Sequence, residues 1–302
     1  MGQRKNPRAT PRSPEAEGGD GADMLRSGEA LLAYFGLSGQ AAGEAPRDTS
    51  YTEAAVRIIR DRILDLTLAP GSRIDDRLMM DRFRMGRTPA REAFNRLSAE
   101  GLIVIQRNRG AFVRPIDIAH VRQFFDAYIA SERVVGYFCR FDDPGLEGDL
   151  HAIQAGYLET YESRNFLRMA QLNARFHARL ALATRNEYVA ENAFRLYNHS
   201  RRLTYFVAMM EKTFIPELHE TQDLINADHD DILETVRRGG GEILVEILTR
   251  HAGLFHNRVM RAISKTRGEG APVPVPPAYE EPIAAAKVSA LPRRRAGRRD
   301  SG

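Results

Sequence analysis

Along most of this chain the apolar side chains recur at intervals of three and four, the spacing of helices that bury one face. Val56, Ile59, Ile63 and Leu66 make one such stripe, with Arg57, Arg60 and Arg62 off it, and Pro70-Gly71 ends it. Leu78, Met79 and Phe83 mark a second short helix near Asp75 to Phe83, followed by a turn at Arg84-Met85-Gly86. A third helix is expected to start at Thr88-Pro89: Thr88 suits the N-cap and Pro89 the first helical position. Glu92 then falls in the first turn, where the helix dipole favours an acid. Ala90, Phe94 and Leu97 share one face, and Arg87, Arg91 and Asn95 share another. Gly101 closes this helix. Leu102 to Ile105, the turn Arg107-Asn108-Arg109-Gly110, and Ala111 to Arg114 read as a hairpin with a basic tip.

From Ile116 to about Arg261 the pattern is helical, with helices expected near 119–140, 145–163, 165–183, 187–211, 217–238 and 241–264. Asn186, Pro216 and Gly239-Gly240-Gly241 mark breaks between them. The fold class is therefore mainly α: an N-terminal winged helix-turn-helix over 49–115, then an all-α six-helix bundle effector domain over 116–264. Residues 1–48 and 265–302 lack sustained periodicity and read as a disordered extension and a disordered basic tail. Within the extension, Met24 to Leu37 is apolar but interrupted by Arg26 and Glu29, which suits a short amphipathic helix better than an export signal.

Charge sharpens this division. The net charge is +4, yet residues 51–115 carry five more basic than acidic side chains and 116–264 carry four more acidic than basic. A basic head on an acidic body suits a polyanion partner, with Arg87, Arg91 and Asn95 reading base edges and Arg109 at the wing tip meeting phosphates. The plainer alternative is a small helical domain with solvated arginines. The tail, ending in Arg293-Arg294-Arg295 and Arg298-Arg299, either solubilises or adds nonspecific phosphate attraction. One cysteine, Cys139, rules out a disulfide framework and suits a cytoplasmic setting. No apolar run approaches the roughly 20 residues that span a bilayer.

All eight histidines fall inside the second domain, seven of them after His120. No HExxH motif is present. Asn173 and His177 are four apart on one expected helix, and His229 and His251 lie on two later ones. Three imidazoles and one oxygen from three helices would suit zinc or nickel, whereas lone helical histidines are commonly structural or solvated.

The first domain resembles the winged helix-turn-helix of GntR-family transcription factors. The matching residues run from Ala69-Pro70-Gly71 through Arg77, Arg87-Thr88-Pro89-Ala90-Arg91-Glu92-Ala93, Leu97, Glu100-Gly101-Leu102 and Arg109-Gly110-Ala111-Phe112-Val113, about 65 residues in register. The resemblance implies operator contacts from Arg77, Arg87 and Arg91, and entry of the wing glycine, Gly110, into the minor groove. Gly86 stands where the family usually has Ser, which leaves Thr88 to cap the helix alone. The second domain resembles the FCD effector domain of FadR-type members through Glu132, Asn173-Ala174-Arg175-Phe176-His177, Asn186, Asp228-His229-Asp230-Asp231-Ile232-Leu233 and Arg250-His251. Six helices point to the VanR-like branch. That resemblance implies a divalent metal held by Asn173, His177, His229 and His251, with an organic acid completing the coordination. Asn173 is neutral where Asp is common, so the site has one charge fewer. Tyr128 replaces the usual arginine four residues before Glu132, so Arg133, Arg175 and Arg202 are the candidates for an acid's carboxylate, beside Tyr128 itself.

Together these readings imply a homodimeric, ligand-responsive regulator, a repressor by family habit, that is not an enzyme. It would bind an inverted-repeat DNA operator and a small organic acid, and no membrane. A metal hydrolase built on the histidines, or an architectural DNA-binding protein with a purely structural bundle, are the alternatives.

Overall fold

The structure, a computed structural model, describes residues 28–37, 51–214 and 220–266, the side chains of 212–221 and 265–266 excepted. A short helix α1 (28–34) precedes the head. The head comprises α2 (Tyr51–Leu64), β1 (Arg73–Ile74), α3 (Asp76–Phe83), α4 (Arg87–Ala99), β2 (Ile103–Gln106) and β3 (Gly110–Val113). Six helices follow: α5 (Ile118–Phe138), α6 (Leu146–Glu162), α7 (Phe166–Leu182), α8 (Glu187–Phe214), α9 (Glu220–Arg238) and α10 (Gly241–Thr266). All six expected helices of the second domain are present, and no strand occurs among its described residues.

In the head, α2 and α4 pack through Val56, Ile59, Ile63, Ala90, Ala93, Phe94 and Leu97, all buried. Met85, expected in a turn, is also buried and closes this core. The hairpin is joined by a third strand that the apolar pattern did not mark. β3 runs antiparallel between β1 and β2, with Ile74 opposite Ala111 and Val104 opposite Phe112. Two residues of β1 are too few to show alternation.

Three expectations about the head need correction. Helix α4 begins at Arg87 with Gly86 as its N-cap and no side-chain cap hydrogen bond, so Thr88 lies inside the first turn and caps nothing. Glu92 consequently lies beyond the first turn, where its carboxylate accepts from the Thr52 hydroxyl. Leu66 leaves the α2 stripe: it takes φ 61 beyond the helix end and is buried in the core of the second domain. Residues 28–37 lie within the stretch Met24 to Leu37 read as a short amphipathic helix in an otherwise disordered extension; they form α1 and a turn whose Phe35 and Leu37 are buried in the second domain's core. The remainder of 1–48 and the tail beyond 266 lie outside the described residues.

The bundle buries a continuous core, with α5 packed along α10 and α7 between α6 and α8. Gly136 lets α5 lie close against α10, because a Cβ there would meet the Val245 backbone at 3.0 Å. This packing brings the polar faces of α5, α6, α7, α9 and α10 together inside the bundle.

Candidate functional sites

Two constellations emerge, one on the head's surface and one in the bundle's interior. On the head, Arg87, Thr88, Arg91 and Asn95 are exposed along the outer face of α4, opposite its buried apolar face. Arg77 is exposed on α3, 3.5 Å from Asp81. Arg91 forks onto Asp76 at 2.7 and 3.0 Å, so its guanidinium is aimed across the turn between α3 and α4. An exposed pair of this kind contributes little stability and leaves the guanidinium exchangeable. At the wing, Asn108 (φ 60) and Gly110 (φ 98) take left-handed conformations, which turns the chain and presents Arg109 to solvent. Gly110 has no side chain to hold a neighbour away, and a Cβ there would lie 3.6 Å from the Arg73 guanidinium.

Inside the bundle, His177 of α7, His229 of α9 and His251 of α10 are buried, with potential ligand atoms all within 4.8 Å of one another. Adjacent side chains fix two of the rings. The Glu132 carboxylate of α5, itself fully buried, accepts from His177 Nδ1 at 2.9 Å and from the Tyr197 hydroxyl of α8 at 2.7 Å. Gln154 Oε1 of α6 accepts from His229 Nδ1 at 2.8 Å. A carboxylate and an amide oxygen only accept, so both Nδ1 atoms carry a proton, which leaves Nε2 as the ligand atom of each ring. Those two Nε2 atoms are buried without a hydrogen-bond partner. His251 Nδ1 lies 3.6 Å from Asp228 Oδ2, beyond hydrogen-bond length. Asp228 is held in place by Arg250 Nε at 2.7 Å.

The electrostatics match. Burial pushes the His229 imidazole well below its ordinary value, and the neighbouring rings of His251 and His177 push it further. Burial likewise lowers His251, against the pull of Asp228. Burial and the charge of Glu132 raise the Tyr197 phenol well above its ordinary range, so it stays a donor. Imidazoles of which two present Nε2 atoms without a hydrogen-bond partner, backed by a buried carboxylate, make a donor set suited to a divalent cation, whose charge would offset Glu132. His177, His229 and His251 fit such an ion.

The other candidates lie elsewhere. Asn173 is one turn before His177 on α7 and part-buried. Tyr128 is buried one turn before Glu132, with its ring 6.2 Å from Tyr197. Arg133 does not converge on the histidines: it follows inward-facing Glu132 by one residue, about 100° around α5, and is exposed. Arg202 is buried at the junction of head and bundle, where it donates to the Arg114 carbonyl oxygen at 2.7 Å. Arg175, part-buried two residues before His177, lies on roughly the opposite side of α7. Gln154, Tyr197 and the roles of Glu132 and Asp228 as supports were not anticipated. Nothing in local sequence marks a Gln that serves a histidine 75 positions away.

Residues 51–113 match the bacterial regulatory proteins of the gntR family, and residues 133–254 match the FCD domain. The chain is 41% identical over 66 residues to the HTH-type transcriptional repressor RspR of Escherichia coli K12, covering 22% of this chain and 29% of RspR. It is 29% identical over 124 residues to the Nta operon transcriptional regulator of Aminobacter aminovorans, covering 39% of this chain and 56% of that protein. These matches thus span between under a third and just over half of the curated relatives. Among solved structures, a GntR transcriptional regulator from Rhodococcus sp. RHA1 matches with TM-score 0.58 at 20% identity, over 71% of this chain and 99% of that one. E. coli McbR/YncC matches with TM-score 0.54 at 14% identity, over 72% and 99%. At such identities the likeness is one of fold.

Proposed function

Because this chain belongs to the GntR family of bacterial regulatory proteins and carries an FCD domain behind its winged head, we propose that it is a metal- and ligand-responsive regulator that binds operator DNA as a homodimer and acts as a repressor. Membership in a family of regulators sets the hydrolase alternative aside.

The reading face is Arg87, Arg91 and Asn95 of α4, supported by Arg77, by Thr88 at the start of the helix, and by Arg109 and Gly110 at the wing. Guanidinium forks recognise guanine edges or phosphates, and the Asn95 amide matches adenine. His177, His229 and His251 hold a divalent transition metal such as zinc or nickel, and Asn173 supplies an oxygen. A bound cation would supply a Lewis-acidic seat for the carboxylate of a small organic acid. Tyr128 packs beside the site next to Tyr197, whereas Arg175, on the far side of α7 from His177, is not placed to take the acid's carboxylate. The six bundle helices favour the VanR-like branch. The homodimer reading draws support from a shallow groove of about 350 Å³ between α5 and the start of α8, lined by Ala127, Ala130, Val134 and Tyr188. Tyr137 and Phe138 extend this apolar face. Two copies joined there would present two reading helices to an inverted repeat.

The observation that carries this reading is the course of α8. Within one turn and a half it supplies Tyr197, which supports the histidine site through Glu132, and His199 and Arg202, which hold the head. A ligand that favours one placement of α8 changes the placement of the head by the same free energy. Selection of bound sequences from random DNA, followed by titration with metal-stripped and zinc- or nickel-loaded protein, tests it. An enriched inverted repeat whose affinity changes about tenfold with metal and a small organic acid is expected. Failure to enrich any sequence overturns it.

A further inference from the structure

We infer that residues 28–37 form an intramolecular clasp that holds the head against the bundle. The segment lies before both family matches, which span 51–113 and 133–254, so neither match assigns it a role.

The clasp touches four elements at once. On the bundle side, Phe35 and Leu37 are 4% and 0% exposed, and the Phe35 ring meets Phe194 of α8 edge-on at 6.0 Å. Gly28 sits so close to Leu182 that a Cβ there would lie 3.0 Å from its Cδ2. On the head side, the Arg96 guanidinium of α4 lies 3.8 Å from the centre of the Tyr34 ring, a cation–π geometry. Gly36 turns at φ 69, and its Cα faces Arg60 of α2, with a Cβ at that position 3.4 Å from the guanidinium.

The polar contacts explain two otherwise puzzling residues. Asn198 and Arg201 are buried, one turn apart on α8. Asn198 Nδ2 donates to the Phe35 carbonyl oxygen at 3.0 Å, and Arg201 donates to that of Gly36 at 3.4 Å. A buried guanidinium without acceptors is costly, and burial already lowers the Arg201 pKa. The clasp's carbonyls supply acceptors that the helices, with their own carbonyls committed, do not. Asp61 of α2 and Asp65 just past its end attract the same guanidinium, so the segment closes over the seam where α2 meets α8. Its apolar side chains anchor in the bundle, and its Tyr34 and Gly36 reach the head.

The test is amide hydrogen exchange on the full chain. Tyr34→Ala/Leu37→Ala is expected to raise exchange at least about fivefold in peptides spanning 58–68 and 97–116, with 166–182 in α7 changed by less than about twofold. Unchanged exchange at the seam overturns the clasp. So does an equal rise in α7, which makes the segment a mere part of the bundle's core. Tyr34→Ala alone, at a side chain 46% exposed, preserves the fold. It is expected to raise exchange in 87–99 and leave 166–182 unchanged, and no rise in 87–99 overturns the link to the head.

Discussion

The His199 ring nitrogen Nε2 lies 3.2 Å from the main-chain carbonyl oxygen of Glu100, whose carboxylate forks onto the buried Arg60 guanidinium at 2.6 and 3.0 Å. A carbonyl only accepts, so Nε2 carries the proton. Glu100 is the C-cap of the reading helix, and Gly101 beside it takes φ 81 with a Cβ position only 3.0 Å from His199 Nε2. The bundle thus grips the reading helix by its C-terminal end. Two residues before His199 on the same helix, Tyr197 supports the histidine site through Glu132.

This grip should be acid-sensitive. Burial pushes the His199 imidazole down from 6.5 to about 4, helped by Arg202 and Arg114. Above pH 6.5 the ring is neutral whether the chain is folded or not. Between 6.5 and about 4 the unfolded chain takes up a proton that the folded chain refuses, so stability falls as pH falls. The full shift corresponds to about 3 kcal/mol, and partial exposure of the ring reduces that to roughly 1–2 kcal/mol. Urea unfolding at pH 7 and pH 5 should show the loss, and His199→Gln should make it shallower, leaving the part that the buried His229 and His251 contribute. An equally steep profile in the variant would assign the sensitivity to another group.

Arg60 should be far more costly to lose than any arginine on the reading face. Arg60 and the Glu100 side chain are 3% and 5% exposed, so Arg60→Ala leaves a buried carboxylate without its partner. A loss of about 3–5 kcal/mol is expected. Arg60→Met/Glu100→Leu should recover much of it, because two apolar side chains of similar volume leave no charge stranded. Chemical denaturation of the three proteins decides; a double variant no more stable than Arg60→Ala would mean packing, not charge, sets the cost.

That contrast shows what sequence periodicity could and could not reveal. Arg60 looked like Arg57 and Arg62, since all three lie off the apolar stripe. Only the three-dimensional path of α4, which brings Glu100 beside α2, separates a buried arginine from solvated ones. The helices of the bundle were legible because apolar residues repeated over many turns. The three histidines were legible because their neighbours carried a recognisable string. The supports behind them were not, because Gln154 and Tyr197 meet His229 and Glu132 only through tertiary packing. Capping at α4 was misjudged because Thr88-Pro89 satisfies the local rule, while the turn from α3 starts the helix at Arg87 and leaves Gly86 as its cap. The helix within Met24 to Leu37 was legible, but its docking was not, for a similar reason: residues 28–37 are held by Phe194, Asn198 and Arg201, more than 150 positions away.

Arg91 separates reading from folding. Its guanidinium is 70% exposed and, among the described residues, pairs with Asp76. An exposed pair contributes about 0–1 kcal/mol, so Arg91→Ala should move the melting temperature by no more than about 2 °C. Operator discrimination should drop by about 1–3 kcal/mol, the worth of one bidentate base contact. Competition binding with single-base operator variants checks this, and an unaltered sequence preference would remove Arg91 from the reading face.

Glu132 tests the metal reading without touching a ligand. Glu132→Gln keeps an oxygen that can accept from His177 Nδ1, and its amide can donate to the Tyr197 oxygen, so the ring stays in place while the buried charge disappears. If the three imidazoles hold a dication, losing that charge should weaken metal binding about 10–100-fold. His229→Ala, which removes a ligand and leaves Gln154 unpartnered, should lose more. If the histidines are only structural, Glu132→Gln should leave metal content at background in both proteins and alter stability alone. Metal analysis after dialysis against a competing chelator, read beside the melting temperature, distinguishes the two: equal zinc or nickel retention in the wild type and Glu132→Gln would detach Glu132 from the metal site, and retention by His229→Ala at wild-type levels would detach the histidine.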